Sequence, residues 1–177
     1  MLSVALLTAG FVVILAVVAF GRSHTGALKP PAIGLPPPGS RTPAVAFDAT
    51  TTAGRKISLA GFHGKPLVIN FFAAWCEPCK REAPEFTRLD QRYRGRVALL
   101  SVAVRTSHRS NLDTFVHDNG ITWPVIWDQG GGLTDSYGIL GQPITYVIDS
   151  QGRVVYRIIG QTTEHRIAGL LDQLLPA

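Results

Sequence analysis

Along the 177 residues, runs of apolar and polar positions divide the chain into an N-terminal apolar stretch, a proline-rich stretch and a globular remainder. Residues 2–20 are apolar apart from Ser3, Thr8 and Gly10 and carry no charge. From 44 to 62 the pattern alternates loosely around Gly54, which predicts an N-terminal β-hairpin. Residues 67–73, Leu-Val-Ile-Asn-Phe-Phe-Ala, read as a buried central strand, and 79–93 as a helix. On that helix Cys79, Glu82, Phe86, Leu89 and Tyr93 step by three and four, so they share one face. Residues 96–104 predict a second buried strand, and strand, crossover helix and strand imply a right-handed parallel βαβ unit. A helix over 110–119, a short strand over 123–127, a glycine break at 130–132 and a short helix through Tyr137 follow. Strands over 144–148 and 154–159 flank a turn at Asp149-Ser150-Gln151-Gly152. A last helix over 162–175 takes Thr162 or Thr163 as its N-cap and buries Ile167, Leu170, Leu171 and Leu174. The class is α/β with one domain, and there are no internal repeats.

The apolar run at 2–20 would span roughly 28 Å as a helix, close to the hydrocarbon thickness of about 30 Å. A cleaved signal peptide competes with an uncleaved anchor, but its apolar core is normally only about 7–15 residues. We read residues 1–21 as a single transmembrane signal-anchor. Residues 22–43 hold half of the prolines in the chain, with Gly26, Gly34 and Gly39 among them. That composition predicts an extended tether reaching at most about 70 Å at ~3.1 Å per residue. The folded domain is expected over 44–177. The tether should confine it near the membrane and raise its effective concentration for membrane-bound partners.

The net charge of +5 is concentrated at the start of the chain. Arg22, Lys29 and Arg41 precede residue 44 with no acid among them, and the remainder is close to balanced. No concentrated basic patch exists, so nothing argues for nucleic-acid binding. Orientation is a conflict within the sequence. Arg22 and Lys29 follow the apolar run and no Lys or Arg precedes it, which on the positive-inside rule alone would leave the domain in the cytoplasm.

The only two cysteines form Cys76-Glu77-Pro78-Cys79, where the first buried strand hands over to a helix. A zinc site would need two further ligands, and His24, His63, His108, His117 and His165 show no close ligand spacing. A structural crosslink closing so short a loop removes little chain entropy. We therefore read the pair as a redox dithiol, with no metal and no cofactor. Unpaired N–H groups and the positive end of the helix dipole favour a thiolate on Cys76. Pro78 costs little in a first turn, because its missing N–H had no intrahelical partner. Glu77 should oppose the thiolate, or else be a solvated charge without effect. Glu82, a carboxylate inside an apolar seam one turn from Cys79, should be partly desolvated, with its pKa raised and coupled to the thiols.

The segment Asn70-Phe71-Phe72-Ala73-Ala74-Trp75-Cys76-Glu77-Pro78-Cys79-Lys80-Arg81-Glu82-Ala83-Pro84 resembles the active-site segment of the thioredoxin superfamily, and within it the membrane-anchored TlpA/ResA type. Gly141-Gln142-Pro143-Ile144-Thr145-Tyr146-Val147-Ile148-Asp149 is a second matching motif in the expected order. The resemblance implies a thioredoxin fold, a central mixed sheet with flanking helices, carrying an inserted segment around 105–135. It implies an extracytoplasmic thiol-disulfide oxidoreductase, most often a reductase of protein disulfides, in many members during cytochrome c maturation. On orientation we follow the resemblance over the flanking charges. Partners would be protein disulfide substrates and a membrane-bound electron donor. Cys76 would be the nucleophile and Cys79 the resolving thiol, with Glu82 handling protons. Pro143 resembles the superfamily's cis-proline, beside which Gln142 would offer backbone groups to an extended substrate. Trp75 would cap the site by packing, and Pro84 would kink the helix without ending it.

Two departures and two alternatives matter. Asn70 is an amide where thioredoxin has a buried acid, so proton transfer falls to Glu82 or water. Ala73 stands where a peroxidase of the peroxiredoxin kind would want a threonine. The same dithiol could run as an oxidase that forms disulfides in secreted proteins. A copper metallochaperone on this fold would use a cysteine spacing one residue longer and a distant histidine.

Overall fold

The computed structural model describes residues 41–104 and 108–175; the expected membrane anchor and nearly all of the expected tether lie outside them. Among the described residues no helix is long and apolar enough to cross a membrane.

Strand β1 (Thr42–Pro43) is followed by β2 (Asp48–Thr50), β3 (Lys56–Ser58) and a 3₁₀ turn at Leu59–Phe62. The central β4 (Leu67–Phe72) leads into α1 (Glu77–Tyr93), β5 (Ala98–Ala103) and α2 (Arg109–Asp118). Then come β6 (Val125–Trp127), α3 (Gly132–Ser136), β7 (Ile144–Ile148), β8 (Arg153–Ile159) and α4 (Glu164–Leu171). The main sheet has the order β1-β8-β7-β4-β5-β6 and is mixed. β5 lies parallel to β4 and β6 parallel to β5, whereas β7 is antiparallel to β4 and β8 antiparallel to β7. β2 and β3 form the expected N-terminal hairpin, bridged to the sheet by Thr51 opposite Ile126.

All six residues of β4 are buried, as a central strand covered on both faces requires. Alternation sends its side chains to opposite faces. Val68 joins Phe86, Leu89 and Tyr93 of α1 and Ile167, Ala168 and Leu171 of α4 in one core. Ile69 and Phe71 join the other, where Phe71, Tyr137 and Tyr146 meet ring to ring. Asn70 therefore faces α1, on the same side as Val68. The face of α1 read from the sequence is the buried one, and Pro84 sits inside the helix without ending it.

The sheet starts two residues before the expected boundary at 44, because Thr42 and Pro43 pair with Val154 and Arg153 of β8. Proline is tolerated there since an edge strand leaves one side without ladder bonds. The last helix is shorter than its periodicity predicts. Thr163 caps its start by accepting from the Arg166 N–H, and it ends at Asp172, whose carboxylate accepts from the Tyr93 hydroxyl. Leu170 and Leu174 are only half-buried. The expected inserted segment contains α2 and β6, and β6 extends the sheet at its parallel edge.

Candidate active site

The C-terminal end of β4 and the N-terminal end of β7 lie together, since the two strands run antiparallel with Phe71 opposite Ile144. That end of the sheet brings the two sequence motifs into contact. After β4 the chain turns through Ala73, Ala74 and Trp75, and the Cys76 N–H donates to the Ala73 carbonyl at 3.1 Å. Cys76 is the N-cap of α1, in extended conformation, and its Sγ accepts the Cys79 N–H at 3.4 Å. The helix thus begins at Glu77, two residues before the predicted start, and Pro78 falls in its first turn where no donor is lost.

Cys76 and Cys79 are joined as a disulfide, with Cα atoms 5.2 Å apart. Cys76 keeps 5% exposure and Cys79 only 1%, so an incoming sulfur meets Cys76 first. The Gln142–Pro143 peptide is cis. It holds the Gln142 carbonyl oxygen 3.9 Å from Cys76 Sγ. In the disulfide that sulfur has no hydrogen to donate; in the dithiol form it would. Pro143 is buried and Gln142 half-buried, and the Pro143 carbonyl accepts from the Gly160 N–H at 2.9 Å.

Glu82 is 1% exposed. Asn70 Nδ2 donates to its Oε1 at 2.7 Å, and the Thr162 backbone N–H donates to its Oε2 at 2.9 Å. Burial pushes its carboxyl up to about 7, against the opposing pull of the hydrogen bonds from Thr162 and Asn70. Asn70 Nδ2 also reaches Thr145 Oγ1 at 3.3 Å. A group that titrates near neutrality thus sits on the Cys79 face of α1, one turn further along. It can hold a proton or release one at physiological pH.

Glu77 is far more exposed. Its Oε1 accepts from Lys80 Nζ at 2.6 Å, and this hydrogen bond, followed by the ammonium charge, holds its carboxyl below the usual value. Trp75, the residue before Cys76, is 51% exposed. Leu140 and Ile159 are 82% and 66% exposed, and both flank the cis-proline: Leu140 lies on its loop, and Ile159 pairs with Ile144.

The eight residues expected to act at the site, Trp75, Cys76, Glu77, Pro78, Cys79, Glu82, Gln142 and Pro143, all lie around this end of the sheet. Thr162, Thr145, Leu140 and Ile159 were not among them. Thr162 meets Glu82 from 80 positions away through a backbone N–H, which no side-chain pattern records. The apolar character of Leu140 and Ile159 was visible, but their exposure was not.

Residues 40–157 match the AhpC/TSA family. "Thiol-disulfide oxidoreductase ResA" of Bacillus thuringiensis (strain Al Hakam) is 31% identical over 130 residues, covering 73% of this chain and 75% of the relative. Among solved structures, a thiol:disulfide interchange protein of the thioredoxin family from Chlorobium tepidum superposes with a TM-score of 0.70 at 27% identity, covering 77% of this chain and 98% of that one. StoA from Bacillus subtilis superposes with a TM-score of 0.62 at 26% identity, over 71% of this chain and 95% of its own. With a thioredoxin-type sheet and a Cys76–Cys79 disulfide at the head of α1, the chain belongs to the AhpC/TSA family, as a thioredoxin-like thiol-disulfide oxidoreductase of the ResA and StoA type.

Proposed function

We propose that this chain is an extracytoplasmic reductase of protein disulfides, held at the cell membrane by residues 1–21 and a proline-rich tether. The observation that carries the direction is the buried Glu82 carboxyl one turn from Cys79. A dithiol becomes a strong oxidant when its reduced form is stabilised as thiolate. A carboxylate buried near the pair works against that stabilisation, so the electrons are held less tightly and pass on to a client.

The Cys76 thiolate attacks one sulfur of the client disulfide, forming a mixed disulfide and releasing the other client sulfur as a thiolate. The Cys79 thiol loses its proton to Glu82 or to water and attacks Cys76 Sγ. The client's second thiolate leaves, the Cys76–Cys79 disulfide forms, and the client has gained two electrons. A membrane-bound dithiol donor returns the two electrons by the reverse exchange. Gln142 and Pro143 present backbone groups to the client chain, with Trp75 beside them. The exposed Trp75, Leu140 and Ile159 around one reactive sulfur support a polypeptide client, since an extended segment can cover all three. Clients in cytochrome c maturation follow from the family resemblance.

Two measurements test this reading. The reduction potential should lie near thioredoxin's, about −270 mV; a value near that of DsbA, about −120 mV, would make the chain an oxidase. A Cys79→Ala variant expressed with the full chain should accumulate mixed disulfides with extracytoplasmic proteins, and their identity names the clients. Capture of cytosolic proteins alone would overturn the location.

A further inference from the structure

Beside the turn that carries Cys76 lies a groove that shares only Trp75 with the client surface proposed above. One wall is Ala74, Trp75 and Lys80, from the turn and first helical turn that carry Cys76. The other is one face of α2, Asn111, Thr114, Phe115 and Asp118 at spacings of three and four, with the C-capping Asn119. Phe115 is buried and stacks on Phe72 at 4.8 Å, which fixes α2 against the sheet beneath the groove. Asn119 is already engaged, its amide donating to the Phe115 carbonyl and its own carbonyl accepting from Thr87. Asn111, Thr114 and Asp118 are exposed along the upper edge.

The charges are unequal. The Lys80 ammonium is neutralised by Glu77 at 2.6 Å. Asp118 has its neighbour on the same helix, the His117 imidazole at 3.0 Å, as its hydrogen-bond partner. The Arg109 guanidinium at the start of α2 is taken up by Asp113 and the Thr52 carbonyl and stacks over Trp127. The groove therefore offers a half-exposed indole on one wall and the Asp118 carboxylate on the other, with the Asn111 amide and the Thr114 hydroxyl on the same helix face as Asp118. An aromatic face with a nearby carboxylate is the arrangement that takes a guanidinium or an ammonium.

We propose that this groove selects clients that carry an arginine or lysine next to the attacked cysteine. The cation lies against Trp75 and faces Asp118, with Asn111 and Thr114 along its path. This rests on the reading of the chain as a reductase of polypeptide disulfides, and adds to it a preference in sequence. Trp75 borders the reactive cysteine directly, so a client residue in the groove is within one or two positions of the client's own sulfur.

The test uses the reduced, full-length protein and synthetic peptide disulfides identical except for arginine, glutamine or glutamate beside the attacked cysteine. The readout is kcat/KM for each peptide. The arginine peptide should exceed the glutamate peptide by about three- to tenfold at low ionic strength. The ratio should shrink as salt screens exposed charges. In Asp118→Asn the arginine-to-glutamate ratio should fall towards one, and in Asp118→Lys it should invert; a ratio taken within each variant is independent of how much active protein it yields. Equal rates for all three peptides with the wild-type chain, or an unchanged ratio in Asp118→Lys, would overturn the inference while leaving the reductase reading intact. A wild-type protein that cycles with dithiothreitol but reduces none of the peptides would remove the reductase reading, and this preference with it.

Discussion

Asn70 Nδ2 and Glu82 Oε1 are 2.7 Å apart, an amide donor from the central strand aimed at the one carboxyl buried on the inner face of α1. Thr162 supplies the second donor, so both carboxyl oxygens accept, and these two hydrogen bonds favour the ionised form. Burial nevertheless outweighs the two hydrogen bonds and lifts the carboxyl from an ordinary 4.5 to about 7. Between those values the folded chain keeps a proton that the unfolded chain has lost, so stability falls as pH rises through this window. It is highest below about 4.5 and levels off above about 7, the whole change from this group being about 3 kcal/mol. Denaturant unfolding of the oxidised protein from pH 4.5 to 8.5 should show this decline in the wild type and a flatter profile in Glu82→Gln. The variant should start lower at acid pH, because its new NH₂ must face one of the two donors. Parallel profiles would mean that Glu82 does not titrate in this range.

Removing the amide separates the two influences on Glu82. Asn70→Ala takes away a donor that favours the carboxylate while leaving the group buried, so its pKa should rise further. Proton exchange with Cys79 should follow it. The pH dependence of alkylation of the reduced pair should shift to higher pH in Asn70→Ala and lose its step near neutrality in Glu82→Gln. Identical alkylation profiles in both variants and the wild type would disconnect this carboxyl from the thiols.

Why Glu82 could be singled out from sequence, and Thr162 could not, follows from the range of the signals involved. Helical spacing is local, and it placed Cys79, Glu82, Phe86, Leu89 and Tyr93 on one buried face from within a single helix. Strand alternation is equally local, but which face of β4 Asn70 shares with Val68 became clear only from the contacts of Val68 with α1. The contacts of Glu82 with Thr162, of Cys76 with Gln142 and of Gly160 with Pro143 depend on how β7 registers against β4 and β8 against β7, and the Val147/Ile148 irregularity shows that the second of these registers is not uniform. The resemblance stood in for that missing information at Pro143. It did not do so at Leu140, Ile159 or Asp118, where exposure depends on what the neighbouring elements leave uncovered. The end of α4 failed for a similar reason: leucines continue the period to 174, but at Asp172 the carboxylate turns to Tyr93.

Asp149 anchors the opposite end of the sheet from the disulfide. Its Oδ1 accepts from the backbone N–H groups of Gln151 and Arg153, and its Oδ2 from the guanidinium groups of Arg153 and Arg41. Burial alone would raise this carboxyl, but the Arg153 and Gln151 hydrogen bonds and the Arg153 charge prevail and hold it below its ordinary 3.8. Its contribution is complete at neutral pH and is lost as pH falls below that value, through the folded pKa. Asp149→Ala should lower stability at pH 7 by about 2 kcal/mol, because four part-buried hydrogen bonds lose their acceptor. At pH 2 the gap between variant and wild type should narrow. A constant gap across that range would mean that the turn, not the charge, carries the effect.

The Glu77–Lys80 pair sets the charge beside Cys76, and its two members act on the thiolate in opposite senses. Glu77→Gln leaves the ammonium uncompensated, favours the Cys76 thiolate, stabilises the reduced form and should make the couple more oxidising. Lys80→Gln leaves the carboxylate uncompensated and should make it more reducing. Both groups are well exposed, so water and salt screen them, and each shift should be no more than about 15 mV at low ionic strength. The double variant should return close to the wild-type potential, since the pair is removed as a neutral unit. Equilibration against a dithiol buffer of known potential at pH 7 measures all four proteins. Single-variant shifts of the same sign would show that the substitutions act by disturbing the first turn of α1, and that charge beside Cys76 does not set the potential.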